Sequence, residues 1–347
     1  MFMTEEQHIH LQESRRRVPR YLFRAFSSGS RGGLGLNNES KILPTETDIA
    51  LVYNAGEANT KEMIEEHLLW HKCDSAFTSW SSSLIWVLRH AIRKKYTRYR
   101  EEDVHICILD TDSTSEPIFP AIALIDAYNI TPRPEKPWLE RHFYFAEYLQ
   151  LGGITSENAS FSVVRFNAME ANGLYDVMPE LNTTNERLRE DLARAVRDTR
   201  EQLFPANPSP GDPQTLSSET VRSALLLATM HRPAFVFPVA VAFLSLRDWT
   251  HEESLVSRLD AILESLRMYQ KPRTFGGEES FGDDLQLHEK YKPKEVASFR
   301  SLFWKLTYRN MVRRVQQPAD EEQVSALMRG LTLQATPVPA SQRTDSE

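Results

Sequence analysis

Two cysteines in 347 residues, Cys73 and Cys107, are too few for a disulfide-built secreted scaffold. Long apolar runs are scarce as well. The longest, Ala234 to Leu246, falls short of a membrane span and contains Pro238, so no transmembrane helix is expected. The opening MFMTEEQHIHLQESRRR lacks the apolar stretch of a secretory signal, which points to a cytoplasmic or nuclear protein. Positive charge is not in excess: 41 Lys and Arg against 48 Asp and Glu leave a formal net charge of -7. That balance argues against a nucleic-acid binder held mainly by phosphate contacts. The Gly-rich stretch Ser27 to Ser40 matches neither the dinucleotide fingerprint nor the P-loop. No internal repeat is visible. The remainder, 41% hydrophobic and 26% charged, is globular in composition and long enough for one large or two ordinary domains.

Residues 1–17 read as a polar N-terminal segment in which Arg15 to Arg17 form a solvated charge run. Tyr21 to Phe26 then has the aromatic and aliphatic content of a strand. Asn59 to Lys72 reads as a helix, with His67 and His71 at metal-ligand spacing but no evident third ligand, so no metal is expected. Phe77 to Ser83 is a Ser-rich extended piece running into the helical pattern of Leu84, Ile85, Leu88, Ala91 and Ile92. Capping accounts for Ser81 to Ser83 but less readily for Ser79, which sits before the cap. Val104 to Asp110 reads as a buried strand, Asp110 and Asp112 as turn acids, and Ile118 to Tyr128 as a helix beside it.

His142 to Phe166 reads as strand, tight turn at Gly152 and Gly153, strand, with Glu147 at the end of the first apolar run. Asn185 to Phe204 is a charged helix with acid and base at i,i+4 spacing. Pro205 to Gln214 is a Pro-dense linker. Beyond it the pattern is helical: Ser218 to Met230, a Pro-broken apolar segment to Leu246, His251 to Tyr269, and Lys294 to Val315. Leu331 to Glu347 has the composition of a disordered tail.

The order Arg, Ser, Glu, each on its own short strand, carries a resemblance. Leu22-Phe23-Arg24-Ala25, Phe77-Thr78-Ser79-Trp80-Ser81 and Glu147-Tyr148-Leu149-Gln150-Leu151-Gly152-Gly153-Ile154 are similar to the three motifs of the Arg-Ser-Glu class of mono-ADP-ribosyltransferases, the cholera and pertussis toxin-like group. The chain is also similar to a fungal family of uncharacterised ADP-ribosyltransferase-like domains, which shares the Trp-Ser-Ser helix start and the Glu-Tyr-Leu strand. The resemblance covers about residues 18–170.

It implies an α+β fold, with an ADP-ribosyltransferase-like split β-sheet core and helices in a domain placed over 18–204; the linker over 205–217, the all-α C-terminal region over 218–315 and the mostly disordered tail over 316–347 are read from the sequence pattern. It implies NAD as substrate. Arg24 would bind the NAD phosphate or ribose, Ser79 would support the site, and Glu147 would hold the nicotinamide ribose. Ala25, Trp80, Ser81 and Phe145 would border the NAD, with Trp80 and Phe145 flanking the nicotinamide. The chemistry agrees with those residue types. A planar forked cation suits a pyrophosphate, and a carboxylate suits an oxocarbenium-like transition state. Nicotinamide leaves without a general acid.

One position departs from the pattern. Arginine-modifying members carry Glu or Gln two residues before the catalytic Glu, where this chain has Phe145, so an arginine acceptor is disfavoured. The expected activity is therefore mono-ADP-ribosyl transfer to another intracellular acceptor or NAD hydrolysis. The alternative is a catalytically inactive interaction protein that keeps the fold and uses its helical C-terminal half as a partner surface.

Overall fold

A computed structural model describes residues 3–71, 73–96, 103–182, 191–205, 217–247, 252–266 and 293–316. It is a mixed α/β structure with an antiparallel sheet and surrounding helices. In chain order it runs α1 (Glu5–Arg15), β1 (Tyr21–Phe26), α2 (Gly33–Leu36), β2 (Lys41–Ile42), α3 (Ile49–Asn54), α4 (Gly56–Leu68) and β3 (Phe77–Ser81). There follow α5 (Leu84–Tyr96), β4 (His105–Asp110), β5 (Ile118–Pro120), α6 (Ala121–Ala127), β6 (Glu147–Leu151), β7 (Ile154–Thr155) and β8 (Ser160–Arg165). The helices α7 (Phe166–Ala171), α8 (Leu174–Val177), α9 (Leu192–Leu203), α10 (Ser218–Thr229), α11 (Pro233–Leu244), α12 (Glu253–Ser265) and α13 (Lys294–Gln316) complete it.

The main sheet has the order β5-β6-β3-β1-β4-β8, and every neighbouring pair is antiparallel. Its two halves are well laddered internally: β3 pairs β6 from Phe77↔Leu151 to Ser81↔Glu147, and β1 pairs β4 from Tyr21↔Asp110 to Phe26↔His105. Between the halves only Phe23↔Ser81 is in register. The β1–β3 join is thus the shortest-laddered seam of the six-stranded sheet, and residues on both sides of it line a cleft.

Alternation along the strands decides what faces the cleft. Phe77, Ser79 and Ser81 share a face with Glu147, Leu149 and Leu151, while Trp80 and Tyr148 point the other way. On the cleft side, one apolar cluster joins Phe77, Leu149 and Leu151 to Leu11 of α1, Ile64 of α4 and Ile122 of α6. A second joins Tyr21 and Phe23 to Leu88 of α5, Phe235 and Val239 of α11, Leu259 of α12 and Leu302 of α13. Apolar residues on both sides of the 205–217 linker thus enter one cluster. Tyr21 meets Phe235 edge-to-face at 6.4 Å between centroids. Phe235→Ala, which empties a site only 1% exposed, is expected to cost about 3–5 kcal/mol. Urea unfolding of this variant followed by circular dichroism should show a single transition at a lower midpoint. A separate early transition of the helical part would contradict the shared core.

Several expectations change. The polar N-terminal segment contains α1, closed by a capping box: Thr4 N–H donates to Gln7 Oε1 at 2.7 Å, and Gln7 N–H donates to Thr4 Oγ1 at 3.2 Å. Leu11 supplies its buried anchor, so the helix rests on capping more than on an apolar stripe. The stretch expected as a helix over Ile118 to Tyr128 starts as β5 and turns helical only after Pro120, in keeping with the extended bias of a residue that precedes proline. The β6 strand begins at Glu147 instead of ending there. The apolar run before it is a 3-10 turn (Arg141–Phe143), and the Tyr144 hydroxyl pins it by donating to the carbonyls of Trp138 and Leu68 at 3.1 and 3.3 Å. Residues 185–190 of the expected charged helix, most of the linker and the C-terminal tail lie outside the described residues. No described helix is long and apolar enough to cross a membrane.

Candidate functional site

The seam between the half-sheets opens into a cleft of about 430 Å³. Arg24, Ala25, Ser79, Trp80, Ser81, Phe145 and Glu147 all line it. Ser79 and Glu147 sit on adjacent strands with their side chains on the same face, where the Ser79 hydroxyl helps to hold the carboxyl pKa down. Arg24 leaves β1 on the face of Leu22 and Phe26, opposite Cys107 of β4. Its long side chain turns into the seam, where Nη1 donates to the Ser79 carbonyl at 2.6 Å. Its Nε–H is buried with no protein acceptor. The side chain reaches across the seam between β1 and β3.

Burial sets the electrostatics. It pushes the Glu147 carboxyl up from 4.5 to about 7, against the opposing pull of the Ser79 hydrogen bond and the Arg24 charge. It holds the Arg24 guanidinium down at about 10, with Cys107 and then Glu147 acting in the other direction. Ionised Glu147 is therefore a cost to the fold. A raised carboxyl makes its stabilising contribution fully below the unfolded value of about 4.5 and loses it as pH rises through about 7. Glu147→Gln should accordingly be more stable than the wild type at pH 8, by roughly 1–3 kcal/mol, with the difference shrinking toward pH 5. Thermal melts at the two pH values check this; equal differences at both would contradict it.

Trp80 differs from expectation. It borders the cleft, but its indole is 2% exposed and belongs to the opposite-face cluster, donating to Gln150 Oε1 at 2.9 Å. Phe145 lines the cleft and packs against the cluster of Phe77 and Leu149. Ser81 lines it while its Oγ accepts the Ser83 N–H at 3.1 Å.

Residues 17–166 match a family model described as a domain of unknown function (DUF7587). The matched stretch contains β1, β3, β6 and β8, hence every residue named above in the cleft. Nothing among the curated proteins or the solved structures matches the chain.

Some cleft residues were not anticipated. Helix α4 ends at Leu68, and Trp70 follows with φ 57°, a costly backbone for a residue with a Cβ. That turn takes His71 off the helix and onto Glu66, 2.7 Å from its carboxylate, so the His67/His71 metal spacing does not survive folding. Among the described residues no group of three His, Cys, Asp or Glu could hold a metal ion. Trp70 instead packs edge-on against Trp86 (5.8 Å) and close to His90 (5.4 Å), while Trp86 and His90 stack at 5.1 Å. Nδ1 of His90 is buried without a partner. Burial holds His90 down at about 3, helped by Lys94, Arg93 and Arg24, so this ring is neutral at working pH. The two α5 residues of this wall, Trp86 and His90, are four apart; that spacing was the only signal in the chain. Asp110 and Asp112 lie elsewhere, paired with Arg20 at 3.1 and 3.4 Å.

Proposed function

We propose that the chain cleaves NAD, as a mono-ADP-ribosyltransferase or an NAD glycohydrolase built on an ADP-ribosyltransferase-like split sheet. The observation that carries this reading is the convergence of Arg24, Ser79 and Glu147 on one cleft at the seam of the sheet. In this reading the Glu147 carboxylate accepts a hydroxyl of the nicotinamide ribose, and Ser79 holds the carboxylate. The bond between ribose C1′ and the nicotinamide nitrogen breaks, and the electron pair goes to the leaving ring, which departs neutral. Positive charge develops on the sugar, where a negative carboxylate is worth most. Water or an acceptor then bonds to C1′ and gives up its proton. Arg24 offers the buried Nε–H and the remainder of its fork to phosphate oxygens.

The acceptor side follows from charge. Arg24, Arg31 and Lys94 line the cleft, and Phe145 offers no hydrogen-bond acceptor, so a cationic guanidinium acceptor is disfavoured. Purified protein incubated with NAD is expected to release nicotinamide; no release together with no NAD binding by calorimetry refutes the reading. Arg24→Lys should weaken NAD binding roughly tenfold, because a point charge replaces a fork. Unchanged affinity in the same calorimetric titration removes Arg24 from the site.

A second reading keeps the fold without turnover. The exposed stripe Trp304, Tyr308 and Met311 on α13, with Trp304 and Tyr308 stacked at 5.0 Å, favours a partner-binding role for the helical part.

A further inference from the structure

Ser79 is held from behind as well as in front. Its Oγ lies 2.8 Å from Nε2 of His67 on α4. The other ring nitrogen, Nδ1, lies 2.8 Å from Oγ of Ser75, which in turn accepts the Phe77 N–H at 3.2 Å. Proton counting gives the direction of the row once Glu147 is ionised. An ionised carboxylate only accepts, and the Ser79 hydroxyl, on the same face of the neighbouring strand, is the donor that lowers its pKa. Ser79 Oγ must then accept from His67, which places the ring hydrogen on Nε2. Nδ1 is left as an acceptor and takes the Ser75 proton. Every donor and acceptor in the row is used once.

We propose that His67 is a positioning residue for Glu147. Its Nε2–H turns the Ser79 hydroxyl so that the Ser79 proton points at the carboxylate, and Ser75 selects the imidazole tautomer that makes this possible. The significance of the row rests on the reading of Glu147 as the carboxylate that acts on NAD. The arrangement itself is measurable without turnover. His67 suits the task because it stays neutral: burial, then the Arg24 and Arg31 charges, hold it down at about 3. A charged imidazole would carry hydrogens on both nitrogens, reverse the Ser75 bond and leave Ser75 no tautomer to select.

The other groups around the carboxyl act differently. Arg24 from β1, Arg31 from the loop after it, Lys94 from α5 and Arg200 from α9 line the same cleft and favour the ionised form of Glu147 whatever residue 67 is. His71, Cys73, His90 and His142 line it too, and Tyr144 lies close enough to feel the carboxylate. All are common to the variants compared below, so a difference between variants is not theirs.

The test is a ¹³C-carboxyl NMR titration of the full chain, with Glu147→Gln used to identify the Glu147 signal. His67→Leu removes the donor to Ser79 and is expected to move the Glu147 midpoint upward by about one pH unit. His67→Gln, whose amide still donates, should restore it. Ser75→Ala should shift it in the same direction as His67→Leu by a smaller amount, since the imidazole is then free to adopt the other tautomer. No upward shift in His67→Leu, or an equal shift in His67→Gln, overturns the proposal. Should His67→Leu fail to fold, Ser75→Ala decides alone, and an unmoved midpoint there overturns it. The acidic limb of nicotinamide release should move with the carboxyl. A wild type that titrates as described but releases no nicotinamide leaves the positioning role standing and refutes the NAD reading instead.

Discussion

Glu147→Gln is expected to lower nicotinamide release from NAD by roughly 10³-fold while leaving NAD affinity within a few-fold of wild type. Removing one electrostatic partner of a developing charge costs about two to three orders of magnitude in other enzymes. Here the carboxylate is the sole acidic group among the described residues that line the cleft, so no described neighbour takes over. Gln keeps the shape and accepts the Ser79 hydrogen bond, and it removes a carboxyl whose burial opposes ionisation. The fold should therefore gain stability at alkaline pH as activity disappears. Steady-state kinetics and a melt on the same preparation test both halves. A variant that loses both activity and stability would mean that Glu147 holds the structure and not the substrate.

Arg200→Ala is expected to cost about 3 kcal/mol of stability. Arg200 donates to Glu295 Oε1 from Nε at 2.8 Å and lies 2.7 Å from it through Nη2. It also donates to Ser83 Oγ at 3.2 Å, and Ser83 donates to Glu295 at 2.5 Å. The same Ser83 Oγ accepts the Trp86 N–H at 3.2 Å, which caps α5 directly after the Ser79 strand. The Glu295 side chain is 1% exposed, whereas Arg200 is 30% exposed. Taking away the arginine strands a buried carboxylate, the expensive way to break an ion pair. Glu295→Ala should cost less, because Arg200 reaches water and Ser83 keeps its cap. Equal losses in urea unfolding of the two variants would show that the asymmetric burial has no energetic weight.

The residues that could be read from the chain are those whose role is set by local pattern. Arg24, Ser79 and Glu147 sit on strands recognisable from their aromatic and aliphatic neighbours, and strand pairing brings them together. The alternation that made Ser79 a cleft residue also sends its neighbour Trp80 to the far side, so placing both in the cleft conflicted with the period of two. His67 escaped for the opposite reason. Its partners Ser75 and Ser79 are near in sequence, but the hydrogen bonds exist only once α4 lies across β3, and the sequence offered only the His71 spacing, which leads to no site. The turn at Trp70 that removes His71 is a left-handed backbone that no residue preference announces. Helix α1 was missed because its ends, not its apolar content, hold it. The union of the helical part with the sheet depends on contacts such as Tyr21 with Phe235, more than two hundred residues apart, which no periodicity reports.

A crystal structure of the Glu147→Gln variant with NAD tests the central claim most directly. The account predicts the nicotinamide ribose hydroxyl on the side chain of residue 147, a phosphate oxygen on Nε of Arg24, and the dinucleotide lying along the seam between β1 and β3. NAD bound away from that seam, or the seam left without NAD at saturating concentration, would contradict it.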